Sequence, residues 1–236
     1  MQCVILAGGR GERLRPLTDS LPKPMLPFGG KPLLEYHLSL LKRHGITDVV
    51  ICGHYLFDSI KNHFGNGGAF GVKISYVHEE KPLGTGGAVK NAAGEIKEDF
   101  ILLSGDVATN LDITALAGFH KEKNALATLV LRKTDHPEDS DTVQIDGQSR
   151  VTNFFFKDEK IKKGNLGNTG LFAFKKSILD RIPETPCNME KDVVAGLIHD
   201  FPVYGYVSGD YIKDMGTFER YEKVRKDIES GALTWE

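Results

Sequence analysis

No apolar run in this 236-residue sequence approaches the roughly 18 residues that a membrane-spanning helix needs. The opening MQCVILAGG has no basic region ahead of its short apolar run, and that run leads straight into glycine. A buried first strand fits it better than a secretory signal. Cysteine is scarce: Cys3, Cys52 and Cys187 are an odd number at no metal-like spacing, which fits buried free thiols and makes the cytoplasm the expected compartment. An excess of positive charge is missing too. Lys and Arg total 30 against 32 Asp and Glu, so no global basic field draws nucleic acid. Neither a membrane nor a nucleic acid is expected as a partner. Linkers, internal repeats and low-complexity segments are absent, and 40% hydrophobic with 26% charged residues is the balance of a globular chain.

What is present is an alternation of strand and helix. CVILA, DVVICG, VKISYVHE, FILLSGD and ALATLVLRK read as strands. Between them, PLLEYHLSLLKRHG carries helical spacing through Leu33, Leu34, Tyr36, Leu40 and Leu41, with Gly45 as a stop. LFDSIKNHFG, GGAVKNAAGEI and NLDITALAGFHKEKN read as further helices. Such alternation implies an α/β fold, a Rossmann-like and mostly parallel sheet with helices on both faces. Ligands bind such sheets at the carboxyl ends of the strands, which puts GGRGER and Asp106 on one edge. After residue 133 short strands and polar turns replace the alternation, implying a small antiparallel insertion. GTFERYEKVRKDIESG closes the chain as a helix with Phe218, Tyr221, Val224 and Ile228 on one face. The reading is one domain over 1–236, with a first half at 1–133, the insertion at 134–216, and a helix and tail at 217–236. A homo-oligomer formed through the last helix is compatible with this pattern.

The densest signal is LAGGRGERLRPLTDSLPKP, Leu6 to Pro24. It fails the dinucleotide fingerprint, because Leu14 stands where the third glycine belongs; GGKP at Gly29–Pro32 fails the P-loop pattern. The physics of an anion site remains. Glycines let backbone N–H groups approach a phosphate, and Arg13 and Lys23 add charge.

The full string LAGGRGERLRPLT…PKPMLP resembles the signature of the sugar-1-phosphate nucleotidyltransferases. The resemblance continues through PLGTGGAVKNA, LLSGD, NTGLFAF and DMGTFERY, covering nearly the whole chain. It implies transfer of a nucleotidyl group from a nucleoside triphosphate to a sugar 1-phosphate, with pyrophosphate released. The attacking group is already an anionic phosphate oxygen, so the demand is for cations and positioning rather than a general base.

Carried over residue by residue, the resemblance implies that Leu6, Gly8, Gly9 and Gly11 line the nucleotide. Arg13 and Lys23 act as the catalytic cations. Gly84 and Thr85 meet the base. Asp106 contacts the nucleotide and, with Asp214, holds Mg²⁺, an ion suited to one or two carboxylates plus phosphates. Lys157, Asn168, Gly170 and Glu190 bind the sugar phosphate. NMEKDVV and PLGTGGA look most like the guanylyltransferases of mannose or manno-heptose 1-phosphates, whose products feed cell-surface polysaccharides. A uridylyltransferase for a muramic-acid-type sugar phosphate is the rival, and a non-catalytic nucleotide-sugar-binding regulator is the reading of another class. One departure stands out. In VTNFFFK, Phe156 occupies the place where the family commonly has an acid; DEK at Asp158–Lys160 supplies one only by a shifted register.

Overall fold

In the computed structural model the described residues are 1–134, 140–157 and 164–235. The DEK segment therefore lies outside them. The first half follows the alternation. β1 (Gln2–Leu6) leads through the glycine loop to a short hairpin, β2 (Pro27–Phe28) and β3 (Lys31–Pro32), and then to α1 (Leu33–Arg43). Next come β4 (Asp48–Gly53), α2 (Phe57–Phe64), β5 (Lys73–His78), α3 (Gly84–Asn91) and β6 (Phe100–Ser104). β6, β1, β4 and β5 are neighbours in that order and all parallel.

The second half joins the same sheet rather than forming a separate lid. β7 (Val107–Thr109) and α4 (Ile113–Glu122) precede β8 (Ala127–Lys133), β9 (Thr142–Ile145), β10 (Val151–Phe155) and β11 (Leu166–Phe174). β11 runs antiparallel to β6 along one edge and to β8 along the other, and β9 takes over β6's side near Leu166 and Gly167. A π-helical turn at Met189–Val194 runs into α5 (Ala195–Leu197), and β12 (Val203–Val207) adds a parallel partner to β8. The nine-stranded sheet is thus parallel from β6 to β5, antiparallel around β11 and β9, and parallel again where β12 joins β8. β13 (Ile212–Asp214) leaves it and pairs with β7 alone, before α6 (Phe218–Glu229).

Strand side chains alternate between faces, and the core follows that period. Cys3, Ile5 and Ala7 pack with α1, α2 and α4, while Val4 packs on the other face with α3 and the Met189–Ile198 segment. All three cysteines are buried and free, as expected. A third cluster positions the site. Leu14 from the glycine loop, Leu26, Phe28, Ala108 from β7 and Met215 pack beneath Tyr221 and Val224 of α6. Of the face expected on α6, Tyr221 and Val224 are buried, whereas Phe218 in the first turn is 54% exposed.

Leu14 is fully buried at the junction of loop, ribbon and helix. Leu14→Ala is expected to destabilise the fold by about 2–5 kcal/mol, read as a lower urea midpoint, because the surrounding elements cannot collapse into the vacated volume.

Candidate active site

The carboxyl ends of β1, β5 and β6 converge on a cavity of about 280 Å³. Leu6, Gly8 and Gly9 form one wall, Leu83, Gly84 and Thr85 another, and Lys23 and Asp106 the floor. The expected nucleotide residues are therefore brought together, except that Gly11 lines an adjoining cavity with Arg13 and Gly216. Gly11 has φ +66°, and a Cβ there would stand 2.8 Å from Thr18 and 2.9 Å from Lys23. Glycine is needed both for the left-handed backbone and for the close approach of the lysine.

Lys23 starts a short 3₁₀ turn between Pro22 and Pro24, whose fixed φ angles limit the backbone freedom of its base. Its Nζ meets Asp106 Oδ2 at 2.8 Å, and Ser104 Oγ donates to Asp106 Oδ1 at 2.9 Å. Burial by itself would raise the Asp106 carboxyl; the Lys23 charge and the two side-chain hydrogen bonds outweigh it and hold the group below its ordinary value. Asp106 is an ionised carboxylate at neutral pH.

Asp214 arrives from the other strand of the β7–β13 ribbon. It pairs in register with Val107, and Met215 N–H donates to Asp106 O at 2.9 Å. The two aspartates are thus neighbours along paired backbones, although their side chains line different cavities. Arg220 Nη1 grips both Asp214 oxygens at 2.8 and 2.7 Å, and Gly216 N–H donates to Oδ1 at 2.9 Å. Residue spacing alone does not reveal this clamp. Gly216 also admits Arg13: a Cβ would lie 2.9 Å from Arg13 Nη2 and 2.7 Å from Asp214 Oδ1.

The cavity beside Asp214 holds about 360 Å³ and is lined by Arg132, Lys213, Arg220 and Asn168. Asn168 Oδ1 is buried there with no partner among the described residues. Gly170, at φ +73°, and the exposed Lys157, whose backbone N–H donates to Asp141 Oδ1 at 2.8 Å, line none of the three cavities. Phe156 stacks on Phe154 at 4.9 Å, and Lys191 Nζ lies 5.9 Å from the Phe156 ring centre. Where an acid was expected, an aromatic face meets a cation.

The glycine helix is tied to a distant segment. α3 begins at Gly84, and the Gly86 and Gly87 amides of its first turn donate to Cys187 O at 2.9 and 3.3 Å. A Cβ on Gly84 would stand 2.4 Å from that carbonyl, so the glycine is required by the packing of the Cys187 segment as well as by its φ of +74°. Thr85 Oγ1 accepts from Met189 N–H at 2.8 Å and donates to Glu190 Oε2 at 3.3 Å. Burial pushes the Glu190 carboxyl up. Glu190 thus lies against the wall formed by Leu83, Gly84 and Thr85.

Sequence reasoning overlooked Glu79. It is 5% exposed, lines the first cavity, and accepts from Leu83 N–H at 3.2 Å. Its signal was available, since it follows a parallel strand just as Asp106 does. Burial raises its carboxyl, opposed by the Leu83 hydrogen bond and by the charges of His54 and His78.

The model of the family described as Nucleotidyl transferase matches residues 2–231. The chain belongs to that family. It is 38% identical over 235 residues to a mannose-1-phosphate guanylyltransferase of Mycobacterium tuberculosis, covering 98% of this chain and 65% of the relative. With a mannose-1-phosphate guanyltransferase of Candida albicans it shares 33% identity over 92% of this chain and 61% of the relative. The chain therefore spans somewhat less than two thirds of these curated relatives. Among solved structures, HddC from Yersinia pseudotuberculosis superposes with a TM-score of 0.81 at 26% identity, over 96% of this chain and 99% of that one. A Bacillus anthracis protein described as a glucose-1-phosphate thymidylyltransferase, solved with sucrose, gives 0.85 at 22% identity, over 96% and 94%. The second likeness establishes the fold, α/β with a large central sheet, and the family match agrees with the motif resemblance.

Gly216→Ala is expected to leave the melting temperature within a few degrees of the parent, because only side-chain ends must shift. Under the activity proposed below, displacing Arg13 and Asp214 should nevertheless lower turnover by about tenfold or more, read as pyrophosphate release.

Proposed function

We propose that the chain catalyses guanylyl transfer from GTP to a mannose-type sugar 1-phosphate, forming a GDP-sugar and pyrophosphate. The observation that carries the choice of base is the Glu79 carboxylate in the wall of the first cavity. Guanine presents N1–H and the N2 amino group side by side, two donors matched to the two oxygens of one carboxylate. Uracil and thymine present a single N–H between two carbonyl oxygens, which a carboxylate repels. The named relatives support the guanylyl and mannose assignments, and HddC was also solved with GMP-PN.

In this reading the base lies between Leu6 and Leu83, with Gly84 and Thr85 at its edge. The triphosphate runs over Gly8, Gly9 and Gly11 toward Arg13. Lys23 neutralises the α-phosphate or the incoming sugar phosphate, so that two anions approach in line. A phosphate oxygen of the sugar 1-phosphate forms a bond to the α-phosphorus as the α–β bridging P–O bond breaks, and the electron pair leaves on pyrophosphate. Arg13 stabilises the charge growing on that leaving group. Asn168, Gly170, Glu190 and Lys157 are proposed for the sugar phosphate, Asn168 having the strongest support because its buried oxygen is unpartnered among the described residues.

The residues suit a hard divalent cation. Asp106 and Asp214 offer carboxylate oxygens from neighbouring positions on paired backbones, the donor type that Mg²⁺ takes together with substrate phosphates. Mg²⁺ held there would offset phosphate charge.

The test is pyrophosphate release with Mg²⁺, crossing GTP, UTP, CTP, dTTP and ATP with a panel of sugar 1-phosphates. Release is expected with GTP and mannose or manno-heptose 1-phosphate; release only with UTP and an amino-sugar phosphate would contradict the proposal. Glu79→Gln should raise the KM for GTP about 10–100-fold, the value of losing one matched pair of hydrogen bonds. Because the Glu79 pKa is raised, protonation sets in at a higher pH than for an ordinary carboxylate and replaces an acceptor with a donor. The KM for GTP should therefore rise as pH falls through that value, and the rise should vanish in Glu79→Gln.

A further inference from the structure

The β7–β13 ribbon has one paired edge and one open edge. Asp106 O accepts from Met215 N–H, and Asn110 N–H donates to Tyr211 O, so the even-numbered residues face β13. The carbonyls of Val107 and Thr109 face the other way, where no third strand continues the ladder among the described residues. Both are buried, and a buried carbonyl needs a donor. Each receives one from an aromatic ring. His37 Nε2, on α1, lies 2.8 Å from Val107 O, and Trp235 Nε1, in the C-terminal tail, lies 2.8 Å from Thr109 O.

A carbonyl only accepts, so a proton sits on His37 Nε2; complete burial disfavours a second proton, which leaves the neutral tautomer with Nδ1 bare. Nδ1 indeed has no partner among the described residues, although His37 is completely buried. Burying Nδ1 without a partner costs free energy, which the Nε2 bond to Val107 O offsets only in part. Trp235 is itself fixed: its ring stacks on Tyr36 at 4.1 Å, and Arg43 Nη1 donates to its carbonyl at 2.8 Å. Tyr36, His37 and Arg43 all belong to α1. One helix thus holds both caps.

We infer that His37 and Trp235 are positioning residues: together they cap the open edge of the β7–β13 ribbon and thereby fix the two carboxylates, Asp106 and Asp214, that the ribbon presents to the substrates. Neither ring reaches the substrate cavities. The inference rests on the reading of those two aspartates as the working carboxylates.

Three variants test it in the full chain. Trp235→Phe keeps a ring to stack on Tyr36 but has no N–H; His37→Leu removes the other donor; His37→Gln places an amide N–H near the position of Nε2. Amide hydrogen exchange is read at residues 107–109 and 212–215, alongside kcat and KM. Trp235→Phe and His37→Leu are expected to speed exchange about tenfold and to lower kcat about 10–100-fold, as loss of partners that orient ligand-bearing groups does, with KM within about threefold. Trp235→Phe should keep its melting temperature within a few degrees, and His37→Gln should stay within about threefold of the parent in both readouts. Unchanged exchange in Trp235→Phe, an unchanged kcat despite faster exchange, or a His37→Gln as impaired as His37→Leu would each overturn the inference. The exchange readout needs no substrate. A parent protein without guanylyl transfer would therefore refute the proposed function while exchange still decided this inference.

Discussion

Lys23 and Asp106, 83 residues apart, meet at 2.8 Å at the carboxyl edge of the sheet, and the arrangement of the site depends on that pair. A cation beside a partly buried carboxylate favours its ionised form, and a lysine stem holds its position better where its backbone is fixed. Two prolines fix the lysine, and the end of β6 fixes the acid. Gly11 lets the lysine stem pass, since any side chain there would collide with it. The opening glycine loop is therefore shaped as much by the ion pair as by the phosphates it is suited to receive.

The pair lines the first cavity, and Lys23 also lines the adjoining one with Arg13 and Gly216. Glu79, Gly8 and the start of α3 share the first cavity with the pair, whereas Asp214, Arg220 and Asn168 line a separate one. The start of α3 is braced by the Cys187 segment, whose carbonyl receives two α3 amides, and by Thr85, which bridges Met189 and Glu190. The wall of the first cavity is thus tied to a segment about a hundred residues away rather than merely facing it. The third hydrophobic cluster supports the same junction from below, joining Leu14, Ala108 and Met215 to α6.

The parallel half of the sheet was legible in the sequence because β1, β4 and β6 are apolar runs ended by turn residues, and α1 carries a clear helical period. Lys23 and Asp106 were legible through motif context. The ribbon was not: β7 and β13 are three residues each, too short for any period to register, and their pairing spans about half the chain. The clamp of Arg220 on Asp214 escaped for a related reason, since a helical arginine reads as a solvated face until the helix has been docked. Glu79 was missed although the rule that flagged Asp106 applies to it equally. Sugar-side residues were the hardest to place, because Lys157 and Gly170 lie on irregular or bulged backbone whose direction spacing does not reveal.

The most direct test is a crystal structure with a non-hydrolysable GTP analogue. The account predicts guanine in the first cavity with N1 and N2 on the Glu79 carboxylate, and the α-phosphate beside Lys23 and Asp106. A base turned away from Glu79, or phosphates seated among Arg132, Lys213 and Arg220, would contradict it.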